Sequence, residues 1–307
     1  MAFRRRSLTY AIAGLALLAV AAGATIAWRN GRVPGDPQSL LLRLPTQDAA
    51  VASIDFDALR KSGYLNLLDA AKTPEEQEYK DFVRDTGFDY KRDLDYVLTS
   101  FASDGSFFLV KGAFDWDKIE GYVKSHKGVC SSHHCRIAGS TPQRRISFFP
   151  LKHNILAMAV APDDMAVSRL EKPGPQADID IPSAPIWISL GSGAIRGATT
   201  LRGGAGELAS ALAGASRVTL TISPDGDQLA ARLEALCRDA QQAGALTMEL
   251  SILTSLVRDN EKRHAALHGP DDLASLLGSG KFQQTGAHVV GTWFITRSLL
   301  QNLTAGT

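Results

Sequence analysis

The chain lacks most of what marks an enzyme or a nucleic-acid binder at the level of sequence. Neither charge is in excess, since 33 Lys plus Arg stand against 32 Asp plus Glu in 307 residues. That balance excludes a dedicated nucleic-acid binder, which needs a basic surface to neutralise phosphates. Cysteine is scarce, at three residues, so no disulfide framework organises the fold. No serine stands in the G-x-S-x-G setting of an esterase nucleophile. Gly191-Ser192-Gly193 lacks the remaining glycine of a dinucleotide fingerprint, and Gly203-Gly204-Ala205-Gly206 lacks the lysine of a phosphate-binding loop. Both read as turns. His264 and His268 have the spacing of a helical metal pair, but Ala265 stands where the zinc-protease motif needs glutamate. Asp85, Asp89, Asp93 and Asp95 are interrupted by Lys91 and Arg92, which suits a solvated face better than a calcium site. No cofactor is implied. Catalysis needs a base, an orienting partner and an electrophile stabiliser, and local spacing names no such set.

Long hydrophobic runs are also absent, with one exception. Arg4, Arg5 and Arg6 precede an uncharged stretch from Ser7 to Trp28, which Arg29 and Arg32 follow. As a helix rising about 1.5 Å per residue, the stretch reaches across a hydrocarbon core of about 30 Å. The basic flank keeps residues 1–6 cytoplasmic and places the bulk of the chain outside, in the periplasm of a cell with an inner membrane. The partner so implied is the lipid bilayer, through residues 7–28. A cleaved signal peptide is the alternative, because Ala22 and Ala24 offer a small-x-small cleavage site.

Without the anchor about 260 residues remain, enough for one large or two small domains. Residues 29–45 carry Pro34, Gly35, Pro37 and Pro45 and read as a juxtamembrane linker, with the folded part starting near Thr46, although Leu40 to Leu44 offer apolar side chains that can pack onto the domain. The expected class is α+β, with antiparallel sheets covered by helices. Ala50 to Phe56 reads as a strand, and Thr73-Pro74-Glu75-Glu76 as a helix start ended by Gly87. A hairpin follows, turning at Ser103-Asp104-Gly105-Ser106, and then a helix from Asp115. Strands near Arg144 to Pro150 and Asn154 to Val160 precede a helix from Asp163 to Leu170. The arrangement returns later: a strand from Ile186, a hairpin turning at Pro224-Asp225-Gly226-Asp227, and a long helix from about Asp239. The recurrence suggests two similar halves, units 46–171 and 186–307, joined by a proline-rich linker over 172–185.

Three local features are candidate sites. Cys130-Ser131-Ser132-His133-His134-Cys135 is a disulfide candidate, because Cys130 and Cys135 flank a four-residue turn at a reach that lets the sulfurs meet. Unpaired thiols, or a metal on His133 and His134 with the two cysteines, remain the alternatives. Cys237 reads as a small buried apolar residue. From Lys118 to His153 there are seven Lys or Arg and one acid, Glu120, in an aromatic-rich part of the chain. If Lys124, Lys127, Arg136, Arg144 and Arg145 share a face, they attract an anionic headgroup or a polyanion. Strand alternation splits them if they do not.

The basic N-terminus and apolar run, the segment LPTQDAAVASIDFDALRKSGYL, the phrase DTGFDYKRDLDYV and the later FDWDKIEGYV resemble uncharacterised membrane-anchored extracytoplasmic proteins of bacteria. The resemblance implies location and architecture, and it brings no catalytic residue. The sequence thus points to a single-pass membrane protein serving as a binding or assembly module, with an envelope protein as a further possible partner. A divergent hydrolase and a purely structural scaffold are the rival readings.

Overall fold

In a computed structural model, residues 35–65, 77–139, 141, 143–175, 179–200, 204–264, 273–296 and 298–299 are described. The stretch at residues 7–28 and the helix start at Thr73 lie outside them, as do His268 and the side chain of His264. Among the described residues no helix is long and apolar enough to cross a membrane.

In chain order the elements are α1 (Pro37–Leu41), β1 (Ala50–Asp55), α2 (Phe56–Lys61), α3 (Gln77–Thr86), α4 (Tyr90–Asp93), β2 (Leu94–Ala102) and β3 (Gly105–Gly112). Then come α5 (Trp116–Ser125), β4 (Val129–Ser131), β5 (His134–Ala138), β6 (Arg145–Lys152), β7 (Ile155–Ala161) and a 3-10 turn at Ala166–Leu170. The chain continues through β8 (Ile186–Gly191), α6 (Ser192–Ala198), α7 (Gly204–Ala211), β9 (Arg217–Asp225) and β10 (Gln228–Leu236). It closes with α8 (Ala240–His264), α9 (Leu273–Gly278), β11 (Lys281–Thr285) and β12 (His288–Ile295).

Local chemistry accounts for most boundaries. Asp55 and Asp115 cap α2 and α5 by accepting from Ala58 N at 2.8 Å and Lys118 N at 3.1 Å. Gly87, at φ +73°, ends α3 in the left-handed region. The turn between β4 and β5 places both Ser132 and His133 at positive φ, as a two-residue turn matched to strand twist demands. Two glycine-rich stretches behave otherwise than expected: Gly191 is the N-cap of α6 and Gly204 opens α7, so both are helix starts and not turns. The helix expected from Asp163 forms only the short 3-10 turn.

Among the described residues all strands join one antiparallel sheet in the order β11-β12-β10-β9-β8-β1-β2-β3-β7-β6-β5-β4. Separate sheets were expected. They merge because β1 pairs with β8 across the middle, from Ala50 opposite Leu190 to Ile54 opposite Ile186. Outward from that pair the order repeats on both sides. A strand, a hairpin and a returning hairpin follow one another, with β2-β3-β7-β6 matched by β9-β10-β12-β11, and β5-β4 is an addition at one end.

The two faces are covered differently. One face carries the helices: α5 packs through Ile119 and Val123 onto Cys135 and Phe148, and α8 through Ala243, Leu246 and Leu250 onto Leu233, Ala235 and Trp293. Between them Leu59, Tyr64 and Leu65 pack against Leu229. The Tyr64 hydroxyl donates within reach of the Gly226 and Gln228 carbonyls, at 3.1 and 2.7 Å, and ties the first half to the turn of the second.

The opposite face is covered by two straps without strands, residues 35–49, which include α1, and residues 162–175 with 179–185, which include the 3-10 turn. Leu40, Leu41, Leu44, Val167, Leu170 and Ile179 are buried there against Val51, Leu98, Phe107, Leu109, Ala157 and Trp187. The straps are bonded to each other. Gly174 N donates to the Leu42 carbonyl at 2.6 Å, and the buried Arg43 guanidinium donates to the carbonyls of Leu170 and Glu171 at 3.0 and 2.5 Å. The chain therefore enters the core at α1, earlier than the expected start near Thr46. The proline-rich stretch likewise contributes to the core through Ile179, and the Pro185 carbonyl accepts from Asp55 N at 2.7 Å.

Candidate functional site

Register shows where the strap face is left open. One transverse row of directly opposed residues crosses all twelve strands: Val129, Arg136, Ser147, Ala159, Phe107, Ser100, Val51, Ser189, Thr219, Glu234, Val290 and Gln283. Directly opposed residues point to the same face. The middle of the row, from Ser147 to Ser189, is at most 1% exposed because the straps lie over it. Toward both ends polar residues enter the row, Arg136 beside Val129 on one side and Thr219, Glu234 and Gln283 around Val290 on the other. Accumulated strand twist, about 20° per step, means the two open ends do not look in the same direction.

At the β8–β12 end the bare face forms a groove of about 480 Å³. Its floor is set by period-two alternation. Val218, Leu220 and Ile222 of β9 turn toward the helices, so Arg217, Thr219, Thr221 and Ser223 turn into the groove. Arg232 and Glu234 of β10 and His288 of β12 continue the floor, and the strap from Asp180 to Ala184 makes one wall. Glu234 accepts from or pairs with His288 Nδ1 at 2.9 Å, and Arg232 lies 3.6 Å from the same carboxylate. The hydroxyls are engaged as well: Thr221 donates to the Arg232 carbonyl at 3.3 Å, and Thr219 lies 3.4 Å from the Ser189 hydroxyl. The result is a grid of alternating donors and acceptors on a rigid floor. A volume of this size matches ordinary small-ligand sites of about 300–1,000 Å³. Sequence reasoning reached two parts of the groove, the strand alternation in β9 and β10 that defines its floor and His288, one of the three histidines (with His133 and His134) whose meeting with a carboxylate in a cleft would favour the hydrolase reading, and it missed the rest.

At the β4–β6 end lies a shallower depression of about 420 Å³, lined by Lys127, Arg136, Arg145 and Asp164 among others. The five cations expected to share a face are only partly brought together. Lys124 pairs with Glu120 on α5 at 3.6 Å, away from the depression, and Arg144 does not line it. Arg136 and Arg145 converge because they are diagonal neighbours on adjacent strands, Arg136 opposite Ser147 and Ala138 opposite Arg145.

Cys130 and Cys135 are directly opposed on β4 and β5 and form a disulfide, with Cα atoms 4.0 Å apart. With both thiols consumed, His133 and His134 serve other contacts. His133 Nδ1 meets Glu120 at 2.8 Å, and this hydrogen bond holds the Glu120 carboxyl below its usual range. His134 stacks on Phe149 with centroids 4.7 Å apart. Among the described residues no group of three or more His, Cys, Asp or Glu could hold a metal ion. The acids near Asp89 have structural partners: Arg84 pairs with Asp85 and Arg92 with Asp93, while Asp89 accepts from the Tyr79 hydroxyl. Cys237 is buried, and burial raises its thiol pKa.

Geometry thus defines a wide antiparallel sheet, helical on one face and strapped on the other, with polar openings at both ends. No family model matches the chain, and no curated protein does. Among solved structures, crystal form III of TP0453 superposes with a TM-score of 0.51 at 9% identity, covering 89% of this chain and 98% of that one. Crystal form IV of TP0453 gives 0.50 at 10% identity, covering 88% and 96%. At such identities the likeness is one of fold.

Proposed function

We propose that this chain is a membrane-tethered extracytoplasmic binding module, built of two similar halves, whose ligand site is the groove floored by β9, β10 and β12. The observation that supports it is the asymmetry of the strap face. In the first half the chain's own straps fill that face with leucine and isoleucine. In the second half the equivalent strands turn Arg217, Thr219, Thr221, Ser223, Arg232, Glu234 and His288 outward and leave them uncovered. A floor of hydroxyls and guanidiniums, bordered by Ile181, Pro182, Ala184 and Leu236, suits a ligand that carries hydroxyl and carboxylate groups on a partly apolar frame, such as an envelope glycan or an acidic peptide segment. Residues 7–28 hold the module at the bilayer, with residues 1–6 cytoplasmic and the groove outside.

The test is a thermal-shift series on the full chain in neutral detergent, against acidic oligosaccharides and acidic peptides. Ligand at about a hundred times Kd stabilises by about 2.7 kcal/mol. The reading requires a shift that is lost when Arg232 becomes methionine and Thr221 becomes valine. If neither ligand class moves the wild-type transition, or if the double variant still responds, the groove is not the site.

A second reading, a divergent extracytoplasmic hydrolase, draws on the His288–Glu234 pair, which has the base and orienter geometry of acid-base catalysis. It requires that His288→Gln abolish turnover of chromogenic ester or glycoside substrates while leaving the groove's ligand-induced thermal shift in place.

A further inference from the structure

We propose that the depression holding Lys127, Arg136 and Arg145 is a binding site for a phosphate monoester dianion, and that Asp164 is its built-in competitor. The proposal goes beyond the groove reading and shares no residue with it.

Three observations combine. First, the charge is focal. The depression gathers three cations and one carboxylate, and among the described residues Lys127 has no ion-pair partner. Second, the carboxylate is a poor match for the arginines that face it. Arg136 Nη1 and Arg145 Nη1 lie 3.6 and 3.4 Å from the same oxygen, Asp164 Oδ2. Well-made charge-assisted bonds measure about 2.7–2.9 Å, and each guanidinium presents five donors in a fork. One shared oxygen at long range leaves most of those donors unused, whereas a phosphate has three terminal oxygens and about two negative charges to engage both forks and the ammonium. Third, the cations stand on rigid neighbours. Arg136 and Arg145 project from paired strands, β5 and β6, of which β5 is also tied to β4 by the Cys130–Cys135 disulfide, while Asp164 sits on the turn leading into the 3-10 segment. Asp163 adds a second negative charge beside it but caps Met165 N at 2.9 Å, so its carboxylate is committed locally. The anion displaces the Asp164 side chain from the fork. No bond is made or broken.

The experiment is calorimetric titration of the full chain in neutral maltoside micelles at low ionic strength. One arm uses inorganic phosphate and the other dihexanoyl phosphatidic acid. Binding in both arms identifies the phosphate monoester itself as the ligand, in the first alone a free phosphate, and in the second alone a lipid headgroup. Each supports the site. Asp164→Asn is expected to tighten binding by about tenfold, since it removes a like charge within a few ångströms of the anion. Arg136→Gln and Arg145→Gln each weaken it by about tenfold or more. Lys127→Gln changes an exposed side chain and weakens binding even if an arginine variant fails to fold. A merely structural ion pair gives the opposite sign for Asp164→Asn. No binding in either arm up to about 10 mM, or Asp164→Asn leaving affinity unchanged or lower, overturns the proposal.

Discussion

Replacing Leu41 by alanine tests whether the stretch before β1 belongs to the fold. Leu41 is 0% exposed and packs in the strap-face core with Phe107, Leu109 and Trp187. The substitution removes three carbon atoms, worth about 0.8 kcal/mol each in transfer free energy. A residual cavity adds to that, so a loss of about 3–4 kcal/mol is expected, inside the usual range of about 2–5 for Leu→Ala in a core. At about 2–4 °C per kcal/mol for a domain of this size, the midpoint falls by about 6–16 °C. Trp187 is 2% exposed in the same cluster, so it contributes to the fluorescence change on unfolding alongside the chain's three other tryptophans. Leu42, half-buried beside it, is the control and should cost about 1 kcal/mol. If Leu41→Ala unfolds within about 1 kcal/mol of wild type, the segment is a spacer laid on the surface and the strap argument fails.

Four further outcomes are expected. The full chain should remain with membranes through carbonate extraction, because an apolar helix the length of residues 7–28 inserts nearly irreversibly; a soluble mature protein starting at Thr25 would sink the anchor. Reduction, or serine at both Cys130 and Cys135, should cost about 2 kcal/mol in the chain-entropy model for so short a loop, and alkylation of the unreduced, denatured chain should modify Cys237 alone. Asp93 has its pKa lowered, chiefly by the Arg92 hydrogen bond, and it also accepts from Asp89 N. Its contribution is therefore complete above the unfolded value of about 3.9 and lost as pH falls through the lower folded value. Asp93→Asn should accordingly destabilise at neutral pH, with the gap to wild type closing below about pH 4 in urea titrations. Removing the Tyr64 hydroxyl, which reaches two carbonyls of the β9–β10 turn, should cost about 1 kcal/mol by the same titration, and no loss in Tyr64→Phe would mean the two halves are not joined there.

Much of the local structure was legible because it depends on near neighbours in the chain. Period-two alternation marked β9 and β10, even though Leu-Ala-Ala-Arg-Leu-Glu-Ala-Leu is composed of strong helix formers. Pairing on both sides, to β9 and β12, outweighs that propensity. The helix start at Asp115, the stop at Gly87 and the hairpin turns are likewise set by a few adjacent residues, whereas Asp55, read as part of the strand, turns out to cap α2. The disulfide was readable from a spacing of five positions across a turn.

Long-range pairing decided the rest. Which strands share a sheet depends on partners far apart in the chain, such as Ala50 with Leu190, and no local pattern encodes that choice. The straps were legible only in part. The leucines from Leu40 to Leu44 offered themselves for packing onto the domain, but proline-rich chain reads as linker, and only the sheet beneath shows that Ile179 is buried as well. The basic cluster shows both sides at once. Its composition was plain in the sequence, but separating Lys124, held by Glu120, from Arg136 and Arg145, which meet over Asp164, took the register of β5 against β6. Alternation along a strand fixes which side chains share a face, and the sequence by itself determined that much. Which faces meet, and which are left open, follows from burial across the whole sheet, and tertiary structure alone decided it.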